Sequence, residues 1–169
     1  MKNMGEPPSS NKEERLPNAT IQAKDPMSLA FAEARRAEAR GEAPIGAAIV
    51  RDGEVVARAG NQTRERADPT AHAEMIAIRA AATALGSERL VGCDLYVTLE
   101  PCAMCAGAIS LARIRRLYFG AEDPKGGAVE HGPRFFAQPT CHHRPEVYGG
   151  FAADDAAALL KEFFANRRN

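Results

Sequence analysis

Cys102 and Cys105 lie three positions apart directly after Pro101, and His72, farther upstream, is followed two places on by Glu74. Proline opens a helix but does not sit inside one, so Pro101 predicts a helix that begins at the cysteines. On a helix, positions i and i+3 share a face, and both sulfurs then reach one ion. In the first turn they meet the positive end of the helix dipole, which favours thiolate over thiol. His72 follows Pro69 at the start of a second apolar helical stretch. One imidazole and two thiolates give zinc three protein ligands and leave the fourth position to water, the pattern of a catalytic site. Glu74 is then the candidate general base beside that water.

Two other readings use the same residues. Cys102 and Cys105 could form a redox pair, which leaves His72 and Glu74 without a role. They could also close a structural zinc site with His72 and either Cys93 or Cys141, which leaves Glu74 unexplained.

The elements that must position these side chains follow from periodicity and punctuation. Residues 1–25 are rich in Pro, Ser, Asn, Lys and Glu, without periodicity, and read as a mobile tail ahead of a domain spanning 26–169. Asp25-Pro26 is an N-cap followed by a first-turn proline, Met27, Ala30, Phe31, Ala34 and Ala37 recur at helical spacing, and Gly41 ends the run. Ile45 to Val50, the turn Asp52-Gly53 and Glu54 to Ala59 predict a hairpin. The His72 helix runs through Met75, Ile76, Ile78 and Leu85 to Gly86, apolar on most faces and so buried against a sheet. Asp94 to Leu99 is a third strand that feeds the cysteine helix, Leu117 to Gly120 a fourth and Glu146 to Tyr148 a short fifth. Phe151 to Arg168 closes the chain as a helix with Leu159, Leu160, Phe163 and Phe164 on one side. Strands that alternate with helices predict an α/β layered fold with crossovers between parallel strands.

Composition sets the bounds. The 169 residues, 45% of them hydrophobic, suit one domain with a real core. Net charge is zero, so any nucleic-acid contact must come from a local patch. Four cysteines, two of them claimed by metal, fit a reducing cytosol better than a disulfide framework. No stretch is long and uncharged enough to span a membrane, and the start lacks the apolar core of a signal peptide. The expectation is a soluble cytoplasmic protein.

The pairing His-x-Glu with Pro-Cys-x-x-Cys resembles the signature of the zinc-dependent nucleobase deaminases. From Met27 to Arg168 the chain is similar to the bacterial tRNA adenosine deaminases in particular. The resemblance is carried by Ala43-Pro44-Ile45-Gly46-Ala47, Asp68 to Glu74, Leu95 to Ala108, Phe119 to Lys125 and Leu159 to Phe164. It implies a three-layer α/β/α sandwich with a mixed five-stranded sheet of the cytidine deaminase type, and a homodimer. It also implies conversion of adenosine to inosine at the wobble position of a tRNA anticodon loop. Carried over residue by residue, His72, Cys102 and Cys105 match the ligands of one zinc per chain, and Glu74 the proton shuttle. Asn61 matches a residue that hydrogen-bonds the flipped nucleotide, and Asp123 one that touches the preceding ribose. Asn61 after Gly60 and Asp123 before Pro124 also read as plain turn residues. Where many members follow the Asp-x-Lys-x-Gly-Ala segment with Gly-Ser-Leu, this chain reads Gly127-Ala128-Val129-Glu130-His131-Gly132-Pro133-Arg134-Phe135-Phe136, so no contacts are carried onto that loop. His142-His143-Arg144 forms a basic cluster that reads either as an RNA contact or as a solvated surface. The competing functions are a free-base deaminase for guanine or cytosine on the same fold, and a non-catalytic zinc-stabilised module.

Overall fold

The computed structural model describes residues 25–167, so the expectation of a mobile tail lies outside the described residues except at Asp25. Asp25 caps α1 (Pro26–Ala39): its carboxylate accepts from the Met27 N–H at 3.1 Å, ahead of the first-turn proline. The hairpin is β1 (Gly46–Arg51) and β2 (Glu54–Gly60), and Asp52 and Gly53 both take positive φ, as a tight primed turn requires. Then come α2 (Ala73–Leu85), β3 (Cys93–Leu99), α3 (Ala103–Leu111), β4 (Arg116–Ala121), β5 (Glu146–Tyr148) and α4 (Ala153–Asn166).

The sheet order is β2-β1-β3-β4-β5. Strand β1 is antiparallel to β2 and β3, whereas β3, β4 and β5 run parallel. The mixed five-stranded sheet thus combines a local hairpin with crossovers through helices. Pleating sends alternate side chains to opposite faces. Ile49, Leu95, Val97, Leu117 and Phe119 join Ala77, Ala81 and Ile109 of α2 and α3 in the larger core. On the other face Tyr96 and Tyr118 pack against Met27, Ala30 and Phe31 of α1 and Ala156 of α4. Tyr96 and Tyr118, in register on β3 and β4, stack with ring centroids 4.5 Å apart. This is the expected three-layer α/β/α sandwich.

Helix α1 approaches the sheet closely because glycine allows it. A Cβ on Gly46 would stand 1.9 Å from the Ala30 carbonyl oxygen, and one on Gly60 2.6 Å from that of Glu33.

Some expectations shift. Helix α3 begins at Ala103 with Cys102 as its N-cap, so Pro101 stands outside the helix it was expected to open. In α2 the fully buried face is Ala73, Glu74, Ala77 and Ala81, while Met75, Ile76 and Ile78 are only half-buried: small residues let the helix lie close to the sheet. Helix α4 starts at Ala153, and Phe164 is 52% exposed rather than grouped with the buried Phe163. Among the described residues no helix is long and apolar enough to cross a membrane.

Candidate active site and metal centre

Two helix N-termini converge on one point. His72 is the N-cap residue of α2 and Cys102 that of α3, and neither side chain makes the usual capping hydrogen bond to its own helix. Both are turned instead towards each other. The approach to His72 is shaped by Asp68, whose carboxylate accepts from the Thr70 N–H at 2.8 Å and from the Thr70 hydroxyl at 2.7 Å. The approach to Cys102 is the C-terminal end of β3, continued by Glu100 and Pro101. His72 Nδ1 stands 3.6 Å from Cys102 Sγ and 3.6 Å from Cys105 Sγ. A tetrahedral ion at ordinary Zn–N and Zn–S distances separates such donors by about 3.6 Å. The three ligand atoms all lie within 4.8 Å of one another. Two sulfurs and one imidazole on helix N-termini therefore fit zinc in both chemistry and spacing.

The ionisation states suit the same purpose. A hydrogen bond from Cys105, opposed by burial and helped by His72, lowers the Cys102 thiol to about 4. The Cys102 sulfur and burial push Cys105 up. A divalent cation between them favours both as thiolates. Cys93 is buried in the large core and Cys141 sits beside Ser110, so neither completes a four-ligand site among the described residues. All four cysteines are free of disulfides.

Glu74, in the first turn of α2, is 3% exposed, and its Oε2 is buried without a hydrogen-bond partner among the described residues. Burial raises its carboxyl to about 7, against a backbone hydrogen bond and the His72 charge that pull it down. A buried carboxyl near neutrality, with one oxygen unengaged, can take up a proton and return it.

The other expected site residues lie outside this cluster's hydrogen bonds. Asn61 follows β2, is buried, donates its N–H to the Ile45 carbonyl at 3.0 Å, and its Nδ2 lies 3.4 Å from the Thr63 hydroxyl. Its neighbour Gln62 donates to the Ala71 carbonyl, which ties this loop to the segment that ends in His72. Asp123 follows β4, and its Oδ1 accepts from the N–H of Lys125 at 3.2 Å and of Gly126 at 3.0 Å. The turn role foreseen for Asp123 is thus present, whatever else its carboxylate does. The basic cluster divides: His142 is exposed, but His143 is locked by Nε2 donating to the Ile114 carbonyl at 2.6 Å.

One residue was not singled out from sequence. Glu100 is 2% exposed and accepts hydrogen bonds from four backbone N–H groups and the His131 ring. The available signal was an acid at the end of an apolar strand, next to proline, with no cation near it in sequence.

Comparison with known proteins agrees with this geometry. Residues 20–121 match the cytidine and deoxycytidylate deaminase zinc-binding region. A tRNA-specific adenosine deaminase of Agrobacterium fabrum is 65% identical over 142 residues, 84% of this chain and 93% of that protein. A solved structure from studies of A-to-I editing by tRNA:A34 deaminases at the wobble position shares 66% identity with a TM-score of 0.79, covering 80% of this chain and 98% of that one. Guanine deaminase of Bacillus subtilis is more distant, at 33% identity and a TM-score of 0.58 over 85% of this chain and 92% of that one. With this cluster at its helix N-termini and these relatives along most of its length, the chain belongs to the tRNA-specific adenosine deaminase family, within the deaminases that carry the cytidine and deoxycytidylate zinc-binding region.

Proposed function

We propose that this protein hydrolyses the exocyclic amine of adenosine at the wobble position of a tRNA anticodon loop, leaving inosine and ammonia. The observation that carries this reading is the buried carboxylate of Glu74, its Oε2 without a donor among the described residues, beside the His72–Cys102–Cys105 cluster. His72 Nδ1, Cys102 Sγ and Cys105 Sγ would hold one zinc. Zinc bound there supplies an attacking water acidic enough to lose its proton near neutral pH. Glu74 would receive that proton and deliver it to the purine ring nitrogen, then take the proton of the hydroxyl added at C6 and hand it to the departing amine, so that ammonia leaves. Its burial keeps the carboxyl poised between charged and neutral, which such a return journey needs.

We assign Asn61 to hydrogen bonding with the flipped nucleotide and Asp123 to the ribose before it. Asn61 is anchored at both its backbone and its loop, and Asp123 is held rigidly by its own turn. A base in a single-stranded loop leaves its stack cheaply, whereas one in a duplex does not. We also place the protein in the cytoplasm, a compartment that suits four free cysteines. We further propose a homodimer. Half-buried Met75 and Ile76 on α2, and Leu111 on α3 at 77% exposure, leave apolar surface for a second copy.

Inosine formation on an anticodon stem-loop with adenosine at the wobble position tests the assignment. Rapid conversion there, and little on the same sequence held in a duplex, is the expected result. Efficient ammonia release from guanine, with the stem-loop untouched, would move the protein to the free-base deaminases.

A further inference from the structure

Glu100 lies two residues before Cys102, and its carboxylate is held by the loop that follows β4. Its side chain has no exposed surface. Oε1 accepts from the N–H groups of Val129 at 3.2 Å, Glu130 at 2.8 Å and His131 at 3.0 Å. Oε2 accepts from the N–H of Asp123 at 2.9 Å and from the His131 ring Nδ1 at 2.8 Å. A carboxylate offers about four lone-pair sites, so five donors saturate it. The loop closes tightly around this centre. Ala128 donates to the Pro101 carbonyl at 2.9 Å, and Gly127 passes so close that a Cβ would stand 2.5 Å from the Glu100 carboxyl carbon. The two ends of the loop, Asp123 and His131, meet on one oxygen.

That shared oxygen has a consequence for Asp123. Its N–H is held by Glu100, and its carboxylate is held by the turn to Lys125 and Gly126. The direction in which Asp123 faces is thereby set by Glu100 and, through the common Oε2, by His131.

We propose that Glu100 and His131 are positioning residues that set the 123–131 loop, and with it the Asp123 carboxylate, for recognition of the RNA around the target base. They take no part in proton transfer or metal binding. The inference rests on the tRNA reading of Asp123 given above.

The experiment uses zinc-loaded full-length protein and an anticodon stem-loop RNA. His131→Ala removes the ring donor, whereas His131→Asn keeps an N–H donor close to the place of Nδ1. Glu100→Gln, with its amide oxygen kept by the three Val129–His131 donors, turns an NH2 towards the Asp123 N–H and the His131 ring. Loss of one charge-assisted hydrogen bond from a partly solvated loop should raise KM about three- to tenfold in His131→Ala and Glu100→Gln, with kcat and zinc per chain unchanged. His131→Asn should restore KM. In an Asp123→Ala background, His131→Ala should add no further rise in KM, because both changes act through the same contact.

A fall in kcat with loss of zinc, an unchanged KM, or full additivity with Asp123→Ala would each overturn the proposal. Should Glu100→Gln fail to fold, the two His131 variants decide alone. The proposal also separates from the substrate assignment. If wild-type protein leaves the stem-loop untouched, the substrate assignment fails, and amide hydrogen exchange at Asp123 and Glu130 still reads the loop. Faster exchange in His131→Ala than in His131→Asn supports the positioning role, and equal exchange overturns it.

Discussion

Two buried glutamates flank the ligand cluster, one two residues after His72 and the other two residues before Cys102. Glu74 is 3% exposed and Glu100 is 2% exposed, so burial alone does not separate them. Their partners do. Glu74 leaves Oε2 with no donor among the described residues, and burial raises its carboxyl to about 7. Glu100 is also pushed up by burial, but the Asp123 N–H, the His131 ring and further backbone donors outweigh that and hold it below the ordinary carboxylate range. A carboxylate that backbone donors saturate stays charged and orders a loop. One that keeps an oxygen without a donor is available to a proton. The difference comes from the backbone around each. Glu74 lies inside a helical turn whose N–H groups point along the axis, while Glu100 ends a strand around which a loop folds back.

The sharpest way to break this contrast is to remove each acid in turn. Glu74→Gln should lower single-turnover inosine formation by about 10²–10⁴-fold, which is roughly 3 to 5 kcal/mol of barrier. Its melting temperature should hold or rise, because a buried carboxylate with one oxygen left without a donor destabilises the fold it sits in. Retention of half the wild-type rate would show that Glu74 is not the proton carrier. Glu100→Ala should behave in the opposite sense, with a loss of about 2 to 4 kcal/mol in urea unfolding as five donors lose their acceptor. A loss below about 0.5 kcal/mol, the level of an ordinary surface substitution, would mean that water replaces the carboxylate freely.

This contrast also marks what sequence can and cannot convey. The ligand cluster was legible because its spacing is local: His72 at one helix start, and Cys102 with Cys105 at another. Most strands and helices were legible from alternation and from caps such as Asp25 and Gly86. Phe164 was misplaced because helical spacing gives a stripe but not its width, and on α4 the buried positions are Ala156 and Phe163. Met75, Ile76 and Ile78 were expected to be buried, but alanines 73, 77 and 81 took the sheet-facing side, a choice that periodicity in a nearly all-apolar helix does not make. Glu100 was invisible for a different reason. Its partners lie 23 to 31 residues away and are mostly backbone N–H groups, which every sequence has.

Gly127 sharpens the loop side of the comparison at a smaller scale. Its missing Cβ would stand 2.5 Å from the Asp123 carbonyl oxygen as well as from the Glu100 carboxyl carbon, so neither neighbour can yield without moving the loop. Gly127→Ala should destabilise by about 1 to 3 kcal/mol, the usual cost of overpacking, with zinc retained. Calorimetry on the zinc-loaded protein reads this directly, and an unchanged melting temperature would mean that the loop is looser than its hydrogen bonds indicate.

The smallest effect concerns the proton on His131. Its hydrogen bond to Glu100 raises the ring's pKa, against the opposing effect of burial. A raised folded-state value gives a stabilisation that is complete below the unfolded pKa of about 6.5 and fades as pH rises through the folded value. The stability difference between wild type and His131→Asn should therefore be largest on the acid side and shrink through neutrality. Above the folded value it should nearly vanish, because neutral histidine and asparagine each donate one N–H to the carboxylate and only the charge-assisted part separates them. Urea unfolding of both proteins across this range, with an NMR titration of the His131 ring, supplies the two readings. A ring that titrates at or below the ordinary histidine value would show that Glu100 is no charged partner, and the contrast between the two glutamates would then rest on hydrogen-bond count alone.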